Sequence, residues 1–182
     1  MLNNVDIKAL AGAKGAITAT PSAGIASYGV RLDWISGVRA EVTALPMNVG
    51  GEEIQRDFTW VVDEPPQLLG QSQGPTPQEY LMSGVGACIM VGFMVNATMR
   101  NIEVRSLNVT MKGSLDLAGF MNLRDDAKVE MDGLVYEIEV DADASEQDLD
   151  EIRQAAVEFS PNAMTIAHQV SVTGTVKQLQ KQ

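Results

Sequence analysis

Cysteine is nearly absent from this chain: of 182 residues, Cys88 alone carries a thiol. That excludes an intrachain disulfide and any cysteine-rich metal site. It fits a reducing compartment such as the cytoplasm. Histidine is as scarce, with His168 standing alone. A metal centre would need scattered carboxylates to complete it, so neither a metal nor a cofactor is expected. Basic residues are few and dispersed, 13 against 24 acidic ones, for a net charge of −11. No block of Lys and Arg marks a phosphate-binding groove, so no nucleic-acid partner is expected. The first residues, MLNNVDIKALAGAKGAI, lack an unbroken apolar centre because Asp6, Lys8 and Lys14 interrupt it. They are not expected to act as a signal peptide.

Charge-free runs long and apolar enough to span a bilayer are lacking too, with one exception. Tyr80 to Met99 (YLMSGVGACIMVGFMVNATM) is 20 residues without a charge, closed by Glu79 in front and Arg100 behind. At about 1.5 Å per residue it is long enough to cross a bilayer. It also holds Ser83, Asn96, Thr98 and three glycines, and no second run accompanies it. A buried central helix is therefore expected, and no membrane partner. Thr76 suits the N-cap, Pro77 the first turn, and Glu79 the positive helix end. A helix apolar on nearly every side must be covered on every side. A chain of this size offers few elements to do so, and a homodimer is the economical inference. Gly84, Cys88 and Gly92 share one face, where a neighbouring backbone can come close.

The rest of the chain alternates between strand and helix patterns. Residues 1–25 read as an arm with a weak helix over 4–13, broken at Thr20-Pro21-Ser22. Residues 26–182 read as one domain. Stretches 28–34 and 38–44 alternate around Ser36-Gly37 and predict a hairpin, and 52–62 predicts a third strand. Residues 63–77, rich in Pro and Gly, form a loop leading into the long helix. Beyond it, 106–117 and 134–140 predict strands. Ser145 caps a helix over 146–159, with Leu149, Ile152, Ala156 and Phe159 at helical spacing. Ser160-Pro161-Asn162 interrupts it, 163–168 continues, and 170–176 closes as a strand. The order β-β-β-α-β-β-α-β is that of an α+β domain.

Cys88 is either inert core, as most buried thiols are, or a nucleophile. The second reading needs thiolate, which apolar surroundings disfavour. The helix dipole fades within the first turn and does not reach it. A cation must then come from a strand: Arg31, Arg39 or Arg56. Nothing in the spacing pairs Cys88 with His168. The acidic stretch 141–151 lacks calcium-loop chemistry, since Glu146 stands where the turn needs Gly and Ile152 where it needs a bidentate Glu. Gly84-Val85-Gly86 lies inside a helix and opens no dinucleotide fingerprint.

The stretch GPTPQEYLMSGVGACIM, from Gly74 to Met90, resembles the signature of the OsmC/Ohr family, the osmotically inducible and organic hydroperoxide resistance proteins. Val62-Asp63-Glu64-Pro65-Pro66, Leu69-Gly70 and Gly113 to Gly119 are similar to the family's flanking segments. The resemblance runs over 34–176. It implies an OsmC-like fold, with two central helices packed on curved antiparallel sheets in an intertwined homodimer. It also implies thiol-dependent reduction of a small hydrophobic peroxide. Cys88 matches the attacking cysteine, Arg39 the arginine that stabilises its thiolate, and Glu79 the acid that orients the arginine.

Two positions depart from the family pattern. Ser160-Pro161 stands where the second cysteine precedes its proline, so an oxidised Cys88 would need an external dithiol reductant. The family's peroxidases place the acid ten residues before the cysteine, which is Gln78 here. Glu79 is one residue, or about 100° of helix, away from that place. Two readings stay open: a one-cysteine peroxidase of oxidative stress defence, or a non-catalytic dimer that binds a small hydrophobic ligand around a structural Cys88.

Overall fold

The chain, described by a computed structural model over residues 1–168 and 170–179, folds as α+β with three antiparallel sheets. Its centre is α2, Pro77–Met99. The Thr76 cap read from the sequence is formed, and Glu79 completes it as a capping box. Thr76 Oγ1 accepts from the Glu79 amide at 3.2 Å, and the Thr76 amide donates to Glu79 Oε2 at 2.7 Å. Such a box satisfies two amides that a helix start otherwise leaves bare.

The fold before α2 is a helix followed by short strands. α1 (Ile7–Ala19) is capped by Asp6 and buries none of its residues. The arm is tied down ahead of it by Asn3, whose Nδ2 donates to Ile102 O (2.9 Å) and whose Oδ1 accepts from the Val104 amide (3.0 Å). β1 (Ala26–Ser27), β4 (Met47–Val49) and β5 (Glu52–Ile54) form one sheet, in the order β1-β4-β5. β2 (Val30–Ser36), β3 (Arg39–Ala44) and β6 (Thr59–Val62) form another, in the order β2-β3-β6. The expected hairpin is β2–β3. The expected single strand over 52–62 is instead two strands in different sheets, β5 and β6. Alternation has the same period in both, so the pattern does not register a change of sheet.

After α2 come β7 (Val104–Gly113), α3 (Leu117–Phe120), β8 (Leu134–Ala142), α4 (Glu146–Glu158) and α5 (Pro161–Ala167). β7 and β8 pair from Val104↔Ala142 to Gly113↔Leu134. The core gathers on one face of α2: Val85, Ile89, Phe93 and Ala97 recur every fourth residue and meet Ile152 and Ala156 of α4. β7 and β8 add Leu107, Met111 and Ile138. Phe159, read as part of the α4 stripe, falls on the cap residue after the last turn and is 76 % exposed. The strand expected over 170–176 is not formed; 170–179 has no regular structure and its valines lie open.

The small-residue face of α2 receives an element of the same chain. A Cβ on Gly92 would lie 3.2 Å from both Cα and O of Ala156. The backbone that comes close there belongs to α4, so this stripe needs no second subunit to explain it. The exposed side of the molecule lies elsewhere. In β2 every residue is exposed, and Leu32 is 58 % exposed although it stands opposite Val42, which is 3 % exposed. Cover over this apolar sheet face therefore stops between β3 and β2.

Gly92→Val pushes against α4 backbone rather than a flexible side chain. It is expected to destabilise the fold by about 1–3 kcal/mol, the cost of overpacking a filled site. Thermal melting beside Gly12→Ala checks this. Gly12 has open space around it, so that control should keep or slightly raise the melting temperature.

Candidate functional site

The loop between β6 and α2 is built around one carboxylate. Asp63 is 1 % exposed. Its Oδ1 accepts from the Glu64 amide (2.9 Å), and its Oδ2 from the amides of Gln71 (3.1 Å) and Gln73 (3.0 Å). Those amides would be left unsatisfied if the loop folded around an apolar side chain. Gly70 lets the loop close: a Cβ there would sit 1.8 Å from Glu64 O. The loop end is fixed to the sheet by Tyr80, whose hydroxyl donates to Val61 O at 2.8 Å. Its ring lies 6.4 Å from that of Trp60.

Of the three arginine candidates, two are engaged away from this loop. Arg31 pairs with Asp33 at 2.6 Å on the exposed hairpin. Arg56 lies over the Phe58 ring at 4.7 Å. Arg39 makes no ion pair among the described residues, and its Nε is buried without a hydrogen-bond partner. It starts β3 beside the loop, because β3 and β6 pair Ala40 with Val62. The paired register ends there; Arg39 and Asp63 are the next residue on each strand, and the Arg39 charge acts on the Asp63 carboxyl without an ion pair between them.

The carboxyls here are shifted in opposite directions. The Gln73 amide holds the Asp63 carboxyl below its ordinary range, helped by the amides of Glu64 and Gln71 and by the Arg39 guanidinium, against the effect of burial. Burial pushes the Glu64 carboxyl up, and the charges of Asp63 and Glu79 add to it. Glu64 Oε2 is buried and has no partner. Arg39, Asp63, Glu64 and Glu79 thus form one group at the start of α2. Sequence reading placed Arg39 and Glu79 at the site but passed over Asp63 and Glu64. The signal for them was an acidic pair closing a strand just before Pro65-Pro66.

Cys88 lies elsewhere on the helix. Nine residues separate it from Glu79, about 13 Å of rise and half a turn of rotation. Glu79, bound in the cap, faces a groove of about 400 Å3 with Met82, Ser83, Met90, Val109 and Met111. Cys88 is half-buried, whereas Val85, Ile89 and Phe93 around it are buried. Beside it Ser83, Ala87 and Val91 make an exposed stripe. α5 passes along this side of α2. Asn162 Nδ2 donates to Gly84 O at 2.8 Å, and Thr165 and Ile166 share an apolar groove of about 670 Å3 with Leu81, Met131 and Leu134. α5 thus runs against the direction of α2, and stepping back along it toward Ser160 leads toward the Cys88 turn. Ser160 is 2 % exposed, and its Oγ accepts from the Ala163 amide at 3.2 Å as the N-cap of α5.

Residues 70–174 match the family described as OsmC-like protein. Among solved structures, an OsmC-like protein from Mycoplasma pneumoniae is similar over 78 % of this chain and 87 % of its own, at 17 % identity and a TM-score of 0.62. An OsmC-like protein of unknown function from Vibrio cholerae is similar over 76 % and 92 %, at 14 % identity and 0.58. An organic hydroperoxide resistance protein OsmC from Legionella pneumophila is similar over 77 % and 88 %, at 14 % identity and 0.51. At these identities the likeness is one of fold. Among curated proteins nothing matches the chain.

The two shifted carboxyls predict opposite effects on stability. Asp63 titrates lower in the folded chain than in the unfolded one. Its contribution is full above the ordinary carboxylate range and is lost as pH falls through the folded value. Asp63→Asn should therefore lower the melting temperature at pH 7 and lessen its decline on acidification. Glu64 titrates higher when folded, so its ionised form costs stability at neutral pH and Glu64→Gln should raise the melting temperature there. Melting curves of both variants from pH 3 to 8 would test the pair. A fall for both at pH 7 would contradict the assignment of Glu64.

Proposed function

The chain belongs to the OsmC-like protein family, and on that premise we propose that it reduces small apolar organic hydroperoxides with a single cysteine. The observation that carries this reading is the half-buried state of Cys88 at the margin between the buried Val85, Ile89 and Phe93 face of α2 and its exposed Ser83, Ala87 and Val91 stripe. A thiol serving only as filler is more often fully buried. A half-exposed thiol can be reached by a substrate, and reactivity requires that access.

The chemistry proceeds in two steps. The Cys88 thiolate attacks one oxygen of the hydroperoxide, a new S–O bond forms, and the O–O bond breaks. The leaving alkoxide takes up a proton and departs as the alcohol, while the sulfur is oxidised to a sulfenic acid. Ser160 supplies no thiol, so an external dithiol completes the cycle. Its first sulfur displaces water from the sulfenic acid, and its second closes its own disulfide and frees Cys88 as the thiol. The role of stabilising the attacking thiolate falls to Arg39, the candidate arginine without a partner among the described residues; its group lies at the start of α2, so the role requires the guanidinium to reach Cys88 from there or from a second chain. The apolar groove at Leu81 and Ile166, on the same side of α2 as Cys88, suits the alkyl part of the substrate. A reducing cytoplasm is the compartment in which a lone thiol cycles this way.

The working unit is a homodimer. Support comes from the uncovered face of β2, the exposed Ser83–Ala87–Val91 stripe of α2 and the unpaired segment 170–179. Open apolar faces of this kind mark interaction surfaces.

Purified protein is expected to consume cumene hydroperoxide with dihydrolipoamide as reductant, and Cys88→Ser is expected to lose that activity entirely. Equal rates for the two would remove Cys88 from the chemistry. Sedimentation should give twice the chain mass of 19.6 kDa. Leu32→Asp should shift it toward one chain, since a buried unpaired charge costs several kcal/mol. A monomeric wild-type protein would sink the dimer.

A further inference from the structure

We propose that Asp63, rather than Glu79, is the carboxylate that positions Arg39. The inference rests on the reading that Arg39 serves Cys88, and it adds the residue that holds the arginine in place.

The geometry points to it in three ways. First, the two residues directly follow the last observed pair of the β3–β6 ladder, and the Arg39 charge acts on the Asp63 carboxyl. β3 and β6 pair Thr43↔Thr59, Val42↔Trp60, Glu41↔Val61 and Ala40↔Val62, and the next residues are Arg39 and Asp63. Opposite charges on neighbouring antiparallel strands attract. Second, Asp63 is itself immobile. Three backbone amides hold its two oxygens, so its charge is fixed in direction and does not wander as a surface carboxylate does. A carboxylate accepts about four hydrogen bonds; with Oδ2 taking two amides and Oδ1 one, an acceptor site remains on Oδ1. Third, the donor it would meet is free. Arg39 Nε is buried and has no hydrogen-bond partner among the described residues, a state costly for a buried donor.

Glu79 does not match this description. Its carboxylate is committed to the Thr76 amide within the helix cap. It stands about two and a half turns of α2 before Cys88, on the opposite face, and lines the methionine-rich groove. Its charge reaches the group mainly by adding to the strain on Glu64.

The test reads the thiol and the carboxyl separately. Alkylation of Cys88 by iodoacetamide is followed against pH for wild type, Arg39→Ala, Asp63→Asn, Glu79→Gln and the Arg39→Ala/Asp63→Asn double variant. Arg39→Ala and Asp63→Asn should each slow alkylation at pH 7 by about tenfold, the effect of removing one opposite charge from a thiolate. The double variant should be no slower than either single one, and Glu79→Gln should match wild type. The sign is informative. Removing an anion would by itself favour the thiolate, and loosening the loop would expose it, so both direct effects speed alkylation. Slowing therefore reports a misplaced Arg39.

An unchanged rate in Arg39→Ala would overturn the reading that Arg39 serves Cys88. A tenfold loss in Arg39→Ala beside an unchanged or faster Asp63→Asn would overturn the positioning role alone. A loss in Glu79→Gln equal to that in Arg39→Ala would return the role to Glu79. If Asp63→Asn does not fold, the Asp63 carboxyl is titrated by carbon NMR in wild type and in Arg39→Ala. Coupling between two groups is reciprocal, so the carboxyl should titrate at higher pH once the guanidinium is gone. An unmoved titration would overturn the proposal.

Discussion

An apolar helix without a charge over 20 residues is stable in water only where something covers it, and the molecule is arranged around that need. The three glycines of the run each seat a different element. Gly92 admits the backbone of α4 at Ala156, Gly86 admits Met111 of β7, and Gly84 receives Asn162 of α5. At Gly92 the approach is to backbone and a Cβ would crowd it, whereas at Gly84 a Cβ would stand in ordinary contact with Asn162. What remains is the sector of Ser83, Ala87 and Val91, with Cys88 at its margin. The thiol is therefore placed at the boundary between covered and uncovered helix, which makes it reachable and explains why it is half-buried rather than lost in the core.

The start of the same helix gathers negative charge, and each carboxylate is handled differently. Asp63 is surrounded by amides, so its ionised form gains from the fold. Glu79 completes the cap and meets the positive end of the helix dipole. Glu64 has neither arrangement: burial and two like charges act on it, and one oxygen has no partner. The Arg39 guanidinium acts on Asp63 and not on Glu64. The charge balance at this end of α2 thus depends on where one guanidinium sits, which links the packing of the loop to the candidate chemistry.

Much of this was legible in the sequence because it depends on local rules. The Thr76 cap, the long helix and the β2–β3 hairpin follow from residue type and spacing; the reciprocal bond from Glu79 that completes the capping box is seen only in the fold. The helix start at Ser145 and the break at Ser160-Pro161 follow the same way. What was not legible depends on sheets and partners. Residues 52–62 keep one alternating pattern while the chain passes from one sheet to another. Segment 170–176 alternates like a strand yet forms no strand pairing among the described residues, since alternation shows which face a strand would bury and not what will pair with it. Arg39 could be nominated but not distinguished from Arg31 and Arg56, because only the fold shows that those two have partners of their own. Asp63 escaped notice for a related reason. Its importance lies in amides eight and ten residues away, and no local spacing announces them.

The serine at 160 bears on how the thiol must be regenerated. It is buried, and it caps α5 by accepting from Ala163. A serine hydroxyl is a strong acceptor for that amide, whereas a thiol is a weak one. A cysteine at this place would trade part of the cap, typically about 1 kcal/mol, for the chance of a disulfide. The chain has the cap. The same exchange keeps α5 firmly placed against Gly84, on the side of α2 that carries Cys88. On the proposed one-cysteine chemistry, an oxidised Cys88 has no internal cysteine partner, and a reductant would reach it through the uncovered sector of α2. If that sector is also where a second subunit docks, access to the sulfur is set by the fit of the two chains. The stability of the dimer and the rate of thiol recycling then depend on the same surface.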